Sequence, residues 1–261
     1  MNVSTPGIHD HSSSRFLLAF GRWRPRLFWL ALTSLLYCLS AAVSPAVAVS
    51  DWKKTIDDVE NDIVVYVRRL DDGMPEFRGV THVDSTLSGC VALIRDVGSM
   101  PEWVSRTIKA RVLSRISDTE VIAYNISQVG WPFENRDAII HTTLEQNPKT
   151  LAITIHGQSL PDYDGPTDFD FRADENRYTR MSDVRSSWKF IPQSDGRIEV
   201  IFQGTGNPGG STAIPLIRWA MRMAISDSPH QTLKGMLRII GRKRYQQARF
   251  NFITDLGEGD R

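Results

Sequence analysis

The chain has 261 residues, of which 41% are hydrophobic, 23% charged and 9% aromatic, with 18 Gly and 13 Pro. That balance excludes collagen-like, coiled-coil and disordered classes. With 31 Lys and Arg against 30 Asp and Glu the formal charge is +1, so the chain lacks the excess positive charge from which a nucleic-acid partner would be inferred.

At the N-terminus Arg15, Arg22, Arg24 and Arg26 precede an apolar run from Leu27 to Val43, then Pro45 and the small-residue triplet Ala46-Val47-Ala48. This is the layout of an export signal, with cleavage expected after Ala48 and a periplasmic or secreted product. An uncleaved membrane anchor is the alternative, because the apolar run is at the short edge of a span. Without residues 1–48 the chain loses four arginines and Asp10, leaving 27 basic and 29 acidic residues. Cys90 is then the sole cysteine and reads as a small buried hydrophobe within Cys90-Val91-Ala92-Leu93-Ile94. The histidines are scattered and no HExxH or CxxC occurs, so no metal site and no cofactor are expected.

From residue 49 to about 246 the pattern reads as one α+β domain, followed by a C-terminal tail over 247–261. Asp51 predicts a capped short helix through Glu60. Ile63 to Val67 reads as a β-branched strand, paired through Asp72-Gly73 with a strand from Phe77 to Ser85. Helical spacing then runs from Thr86 to Ser114, with Pro101 at a helix start. Five strands follow: Val121–Gln128, Asp137–Glu145, Leu151–Gln158, Tyr178–Phe190 and Arg197–Gly204, seven in all. From Ile214 to Ile240 the period returns to that of a helix, which Ser228-Pro229 is expected to kink or break.

Alternation assigns Ile122, Tyr124 and Ile126 to one strand face, Leu151, Ile153 and Ile155 to another, and Ile198, Val200 and Phe202 to a third. These faces need a cover, and the last helix, with Ile214, Ile217, Met221, Ala224 and Ile225, is the expected lid. Pattern alone leaves open whether sheet and helix enclose a solid core or a hollow.

Gln128-Val129-Gly130-Trp131-Pro132-Phe133-Glu134-Asn135-Arg136-Asp137 resembles the W-P-x-x-x-R-D signature of the START (steroidogenic acute regulatory protein-related lipid transfer) domains. Arg185 and Trp188-Lys189-Phe190-Ile191-Pro192 resemble the family's late strand. Gly206-Asn207-Pro208-Gly209-Gly210, with Ile214-Pro215 and Trp219, is similar to the family's entry to its last helix, Asn207 standing where Asp is usual. The three motifs occur in order, and the resemblance spans Trp52 to Ile240. It implies a helix-grip fold: a curved antiparallel sheet wrapped around a long C-terminal helix, with a lipid-admitting tunnel between them.

The function implied is binding a lipid in an internal cavity and carrying or transferring it between membranes. The ligand remains open among sterol, hopanoid, phospholipid and fatty acid, with a transient membrane surface as second partner and a monomer expected. An enzyme of the same fold, a hydrolase or cyclase, is the rival, although no G-x-S-x-G or nucleophile–base pairing is present. A lipid-sensing module touching membranes through Arg238, Arg242, Lys243, Arg244 and Arg249 is a third reading.

No catalytic residue is expected. The candidate ligand-binding residues are Arg136, Tyr124, Ile126, His141, Ile153, Ile155, Trp188, Phe202, Ile217 and Met221. Arg136 opens a strand and is expected either to meet a ligand oxygen at the tunnel end or to pair with Asp137, Asp183 or Glu134. The glycines of 204–210 read as a hinge for the last helix rather than a phosphate cradle.

Overall fold

Ten strands form one sheet in the computed structural model, which describes residues 51–129, 134–167, 171, 177–207 and 215–257, and the side chains of the last helix from residue 226 onward. The export segment, Trp131 to Phe133 and residues 208–214 lie outside them. The strands are β1 (Lys53–Asp58), β2 (Ile63–Arg69), β3 (Pro75–Val83), β4 (Thr107–Ser117), β5 (Glu120–Ser127), β6 (Arg136–Gln146), β7 (Ile153–Ser159), β8 (Thr179–Arg180), β9 (Asp183–Pro192) and β10 (Ile198–Asn207). Their order is β1-β2-β3-β10-β9-β7-β6-β5-β4, antiparallel throughout, with β8 pairing in parallel beside β6. This is the expected α+β helix-grip arrangement, with more strands than the seven expected.

Three expectations are corrected. Residues 51–60 are not a helix, because Asp58 accepts hydrogen bonds from both the backbone N–H and the side chain of Asn61, and Asp62 takes φ +52. That turn chemistry folds β1 back onto β2, and the exposed Lys53, Lys54 and Asp57 guard a sheet edge.

Residues 107–114 are strand, not helix. Irregularities in the β4–β5 ladder between Thr107 and Lys109, Val112 and Ser114, and Arg115 and Ser117 reset the alternation, so Ile108, Val112 and Leu113 imitate a helical period. The helices that do form there are α1 (Leu87–Arg95), capped by Thr86 Oγ1 accepting from the Gly89 N–H at 3.0 Å, and the short α2 (Met100–Trp103) with Pro101 in its first turn.

The last helix, α3 (Pro215–Ile239), runs unbroken through Pro229. Tertiary packing outweighs the lost hydrogen bond: Leu233, Met236 and Ile239 are buried in the core, and a Cβ on Gly79 of β3 would lie 2.8 Å from Leu233 Cδ1. Gly235 admits an equally close crossing, since a Cβ there would lie 2.2 Å from the Trp103 carbonyl oxygen. His230 Nε2 lies 2.7 Å from Asp58 Oδ2, joining α3 to the end of β1. Hydrogen bonds from Asn61 and His230 hold the Asp58 carboxyl down at about 2.

α1 and the second half of α3 close a solid core against β2, β3, β7, β9 and β10, built from residues such as Ile63, Val65, Leu93, Ile153, Phe190 and Leu233. Cys90 sits within it, and burial pushes its thiol up to about 12, so it is an inert packing group. After α4 (Lys243–Gln246) the described residues, which run to 257, pack back against the domain. Ile253 and Asp255 are buried, and Asp255 Oδ1 accepts from the Ser88 N–H at 2.9 Å.

Candidate functional site

Beyond the solid core the sheet stands away from α3 and leaves a cavity of about 340 Å³, within the range of ~300–1,000 Å³ typical of small-molecule sites. Its sheet wall is built from residues sharing one face across five strands. Register pairs Val121 with Thr142, Thr142 with Gly157, Gly157 with Ser186 and Ser186 with Gly204, and all five positions line the cavity. Apart from Val121 and Thr142 this row is glycine or serine. The hollow exists because the inward side chains are small.

An aromatic wall stands beside that row. Trp188 of β9 stacks on Phe202 of β10 with centroids 4.0 Å apart, Phe77 meets Phe202 edge-on at 4.8 Å, and Trp103 of α2 meets Trp188 edge-on at 5.7 Å. Met100, Val104, Ile94 and Val97 close the side under the short helices, and Ser228 and Thr232 of α3 reach in from above.

Charge is confined to the margins. Arg95 donates to the Asp118 carbonyl and lies over the Phe250 and Phe252 rings at 5.4 and 5.3 Å; burial, with Arg115 nearby, lowers its pKa. Arg185 is half-exposed between Asp72 and Asp183.

Of the residues expected to bind ligand, Ile155, Trp188 and Phe202 line this cavity. Ile153 shares their face but is sealed in the solid core. Ile217 and Met221 lie on α3 among side chains outside the described residues.

Tyr124 and Ile126 are on the opposite face of the sheet and are corrected accordingly. With Ile122, Leu113 and Ile139 they form a second apolar cluster around Phe171, to which Leu160, Tyr163 and Tyr178 of the excursion after β7 contribute. The Tyr124 and Phe171 centroids are 5.7 Å apart. The sheet is therefore apolar on both faces here. The larger side chains went to the packed side, leaving Val121, Ala123, Asn125 and Ser127 for the cavity. His141 also faces away, its Nε2 lying 2.6 Å from Glu120 Oε1.

The Arg136-Asp137 pair straddles the sheet. Asp137 faces the second cluster, fully buried, and accepts from Arg180 Nε at 3.0 Å and Arg180 Nη2 at 2.9 Å. The same guanidinium donates to the Pro161 carbonyl at 2.9 Å, tying β6, β8 and the excursion together. Arg136 is buried on the inward-facing parity, paired in register with Ser127 at the polar end of the wall. It donates to the Glu134 carbonyl at 2.5 Å and is not among the residues lining the cavity. The expected hinge at 204–210 begins as regular strand, with Gly204 to Asn207 paired against β9, and its remainder lies outside the described residues.

The basic residues at the C-terminal end are locally engaged. Arg238 donates to the Glu102 carbonyl, Arg242 pairs with the Glu102 carboxylate at 2.6 Å, and Arg244 lies 3.2 Å from Asp96.

No family model matches the chain. An uncharacterised protein of Pseudomonas aeruginosa is 28% identical over 208 residues, covering 79% of this chain and 95% of that protein. The crystal structure of a STAR-related lipid transfer protein from Xanthomonas axonopodis matches with a TM-score of 0.62 at 26% identity, over 74% of this chain and all of that one. Human StAR-related lipid transfer protein 5 matches with a TM-score of 0.57 at 12% identity, over 83% and 98% of the two chains, a likeness of fold alone. The ordered motifs resemble those of the START domains, and the sheet closed by a long last helix, with these likenesses, gives the chain the fold of those lipid transfer domains.

Proposed function

We propose that this chain binds a lipid-like molecule in the cavity between sheet and α3 and carries it through water from one membrane to another. The observation that carries the reading is the cavity itself: an apolar and aromatic hollow of about 340 Å³ walled by a row of small residues, in a domain whose structural relatives include proteins named for lipid transfer. Burial supplies the binding energy, at roughly 2.5 kcal/mol for each 100 Å² of apolar ligand surface removed from water. Covalent chemistry is not part of the proposal. The described lining offers hydroxyls, one amide, two indoles and two guanidinium groups, and no carboxylate, imidazole or thiol for general acid–base or nucleophilic work.

The protein purified from its own host is expected to contain one lipid per chain. Organic extraction followed by mass spectrometry identifies it. Absence of any lipid, together with failure to take up a fluorescent pyrene hydrocarbon, overturns the proposal.

Export belongs to the same proposal and rests on the arginines, apolar run and Ala46-Val47-Ala48 of the N-terminal segment. The mature chain is expected to begin at Val49 by N-terminal sequencing. A membrane-bound product retaining Met1 replaces the cleaved signal with an anchor.

A further inference from the structure

Arg95 lines the cavity without a counter-ion. Its guanidinium donates to the Asp118 carbonyl and lies over the Phe250 and Phe252 rings, while the Asp118 carboxylate acts on it only from beyond ion-pair distance. Among the described residues neither Arg95 nor Arg115 makes an ion pair, whereas Arg185, the other arginine of the described lining, faces both Asp72 and Asp183. The remaining N–H groups of Arg95 stay open to the cavity or to water, since none of its nitrogens is among the buried unpaired atoms.

Arg115 brings a second positive charge. It pairs in register with Val121, a wall residue, and so shares the cavity side of the sheet. Burial first, and then the charge of Arg115, lower the Arg95 pKa, and an anion brought to this place relieves that repulsion.

Register fixes what lies beyond Arg95. Leu144 pairs with Ile155, Ile155 with Trp188 and Trp188 with Phe202, and all four line the cavity. At the near end the Leu144 N–H donates to the Thr119 carbonyl, next to the Asp118 carbonyl that Arg95 holds. An apolar row crossing from the start of β5 to β10 thus begins at a cation. Four strand spacings of about 4.8 Å make it roughly 19 Å long, the length of an extended long-chain acyl group.

Accepting that the cavity is a lipid site, we infer that Arg95 binds the anionic head group, carboxylate or phosphate, of a single-chain lipid whose tail lies along that row. A guanidinium presents paired donors that match two oxygens of either head. An alcohol meets the same donors without the charge, and a hydrocarbon leaves them unmatched.

The test is displacement of a cavity-bound pyrene hydrocarbon by four ligands of equal chain length: hexadecanoate, hexadecyl phosphate, hexadecanol and hexadecane, at a pH where both acids are ionised. For the unmodified protein at least one anion is expected to displace the probe at about 5- to 10-fold lower concentration than hexadecanol, and the tighter of the two identifies the head group. Arg95→Met keeps the stem over the two phenylalanines and removes the donors; it is expected to abolish the preference for anions and to leave hexadecane unchanged. Arg115→Glu, at an exposed position, supplies Arg95 with a carboxylate from the protein itself and is expected to lower the anion preference several-fold with hexadecane unchanged. The inference is overturned if hexadecanol binds the unmodified protein as tightly as both anions, or if Arg95→Met retains the preference; should Arg95→Met fail to fold, a preference undiminished in Arg115→Glu overturns it. Failure of the pyrene probe to bind at all defeats the lipid-site reading instead, so the two failures are distinguishable.

Discussion

Thr142→Trp is expected to abolish uptake of a hydrophobic probe, lowering affinity at least about 10-fold, while the fold survives. Thr142 is in the middle of β6, half-buried only because its side chain faces the hollow, with Val121 and Gly157 beside it in register. A tryptophan there brings ~150–250 Å² of ring surface into space a ligand would occupy. In a packed core the same insertion costs about 1–3 kcal/mol or more, but here the ring has room, so the melting temperature is expected to move by less than about 4 °C for a domain of this size. Probe titration and thermal unfolding on the one variant check both halves. Unchanged uptake with a large loss of stability would mean that this part of the sheet packs solidly.

Arg180→Met is expected to have the larger effect on stability, about 3–5 kcal/mol, because it strands a buried charge. Asp137 is fully buried, and the fork of Arg180 supplies two hydrogen bonds to it as well as the link to the Pro161 carbonyl. Methionine preserves most of the stem and none of the donors. The expected fall in melting temperature is on the order of 10 °C. The double variant Asp137→Leu with Arg180→Met is expected to recover a good part of that loss, since replacing both partners of a buried pair by apolar groups is often neutral. A single variant that melts within 2 °C of the unmodified protein, roughly the effect of well under 1 kcal/mol, would show that the Asp137 carboxylate does not depend on Arg180.

Thr142 and Asp137, the partner of Arg180, lie on opposite faces of one strand, β6, and that is where the reading from sequence met its limit. Strand existence was legible from β-branched runs and turn residues: β2, β3, β5, β6, β7 and β10 lie where alternation and Gly or Asn-Pro turns place them. The ordered motifs around Arg136-Asp137, Trp188 and Asn207 pointed to the right architecture. Alternation also marks correctly that Ile122, Tyr124 and Ile126 share a face. What it does not contain is which side of the sheet that face meets. A period of two distinguishes the faces without naming them, and a strand buried on both sides gives no polar face to break the tie.

Tertiary structure decided the rest. The excursion after β7, anchored by Phe171 and by Arg180 reaching back to Asp137, covers the convex face and claims the large side chains. The concave face was left with Ala123, Asn125, Gly157, Ser186 and Gly204, residues that read singly as indifferent strand formers. Only when pairing register sets them in neighbouring strands do they become the wall of a hollow. The chain sequence by itself determined the strands, the last helix and the family resemblance, because local periodicity and motif order are properties of a line. The cavity, the partner of Asp137 and the place of Arg95 at the end of the cavity wall depend on residues far apart in sequence meeting across a sheet, and folding alone brings those together.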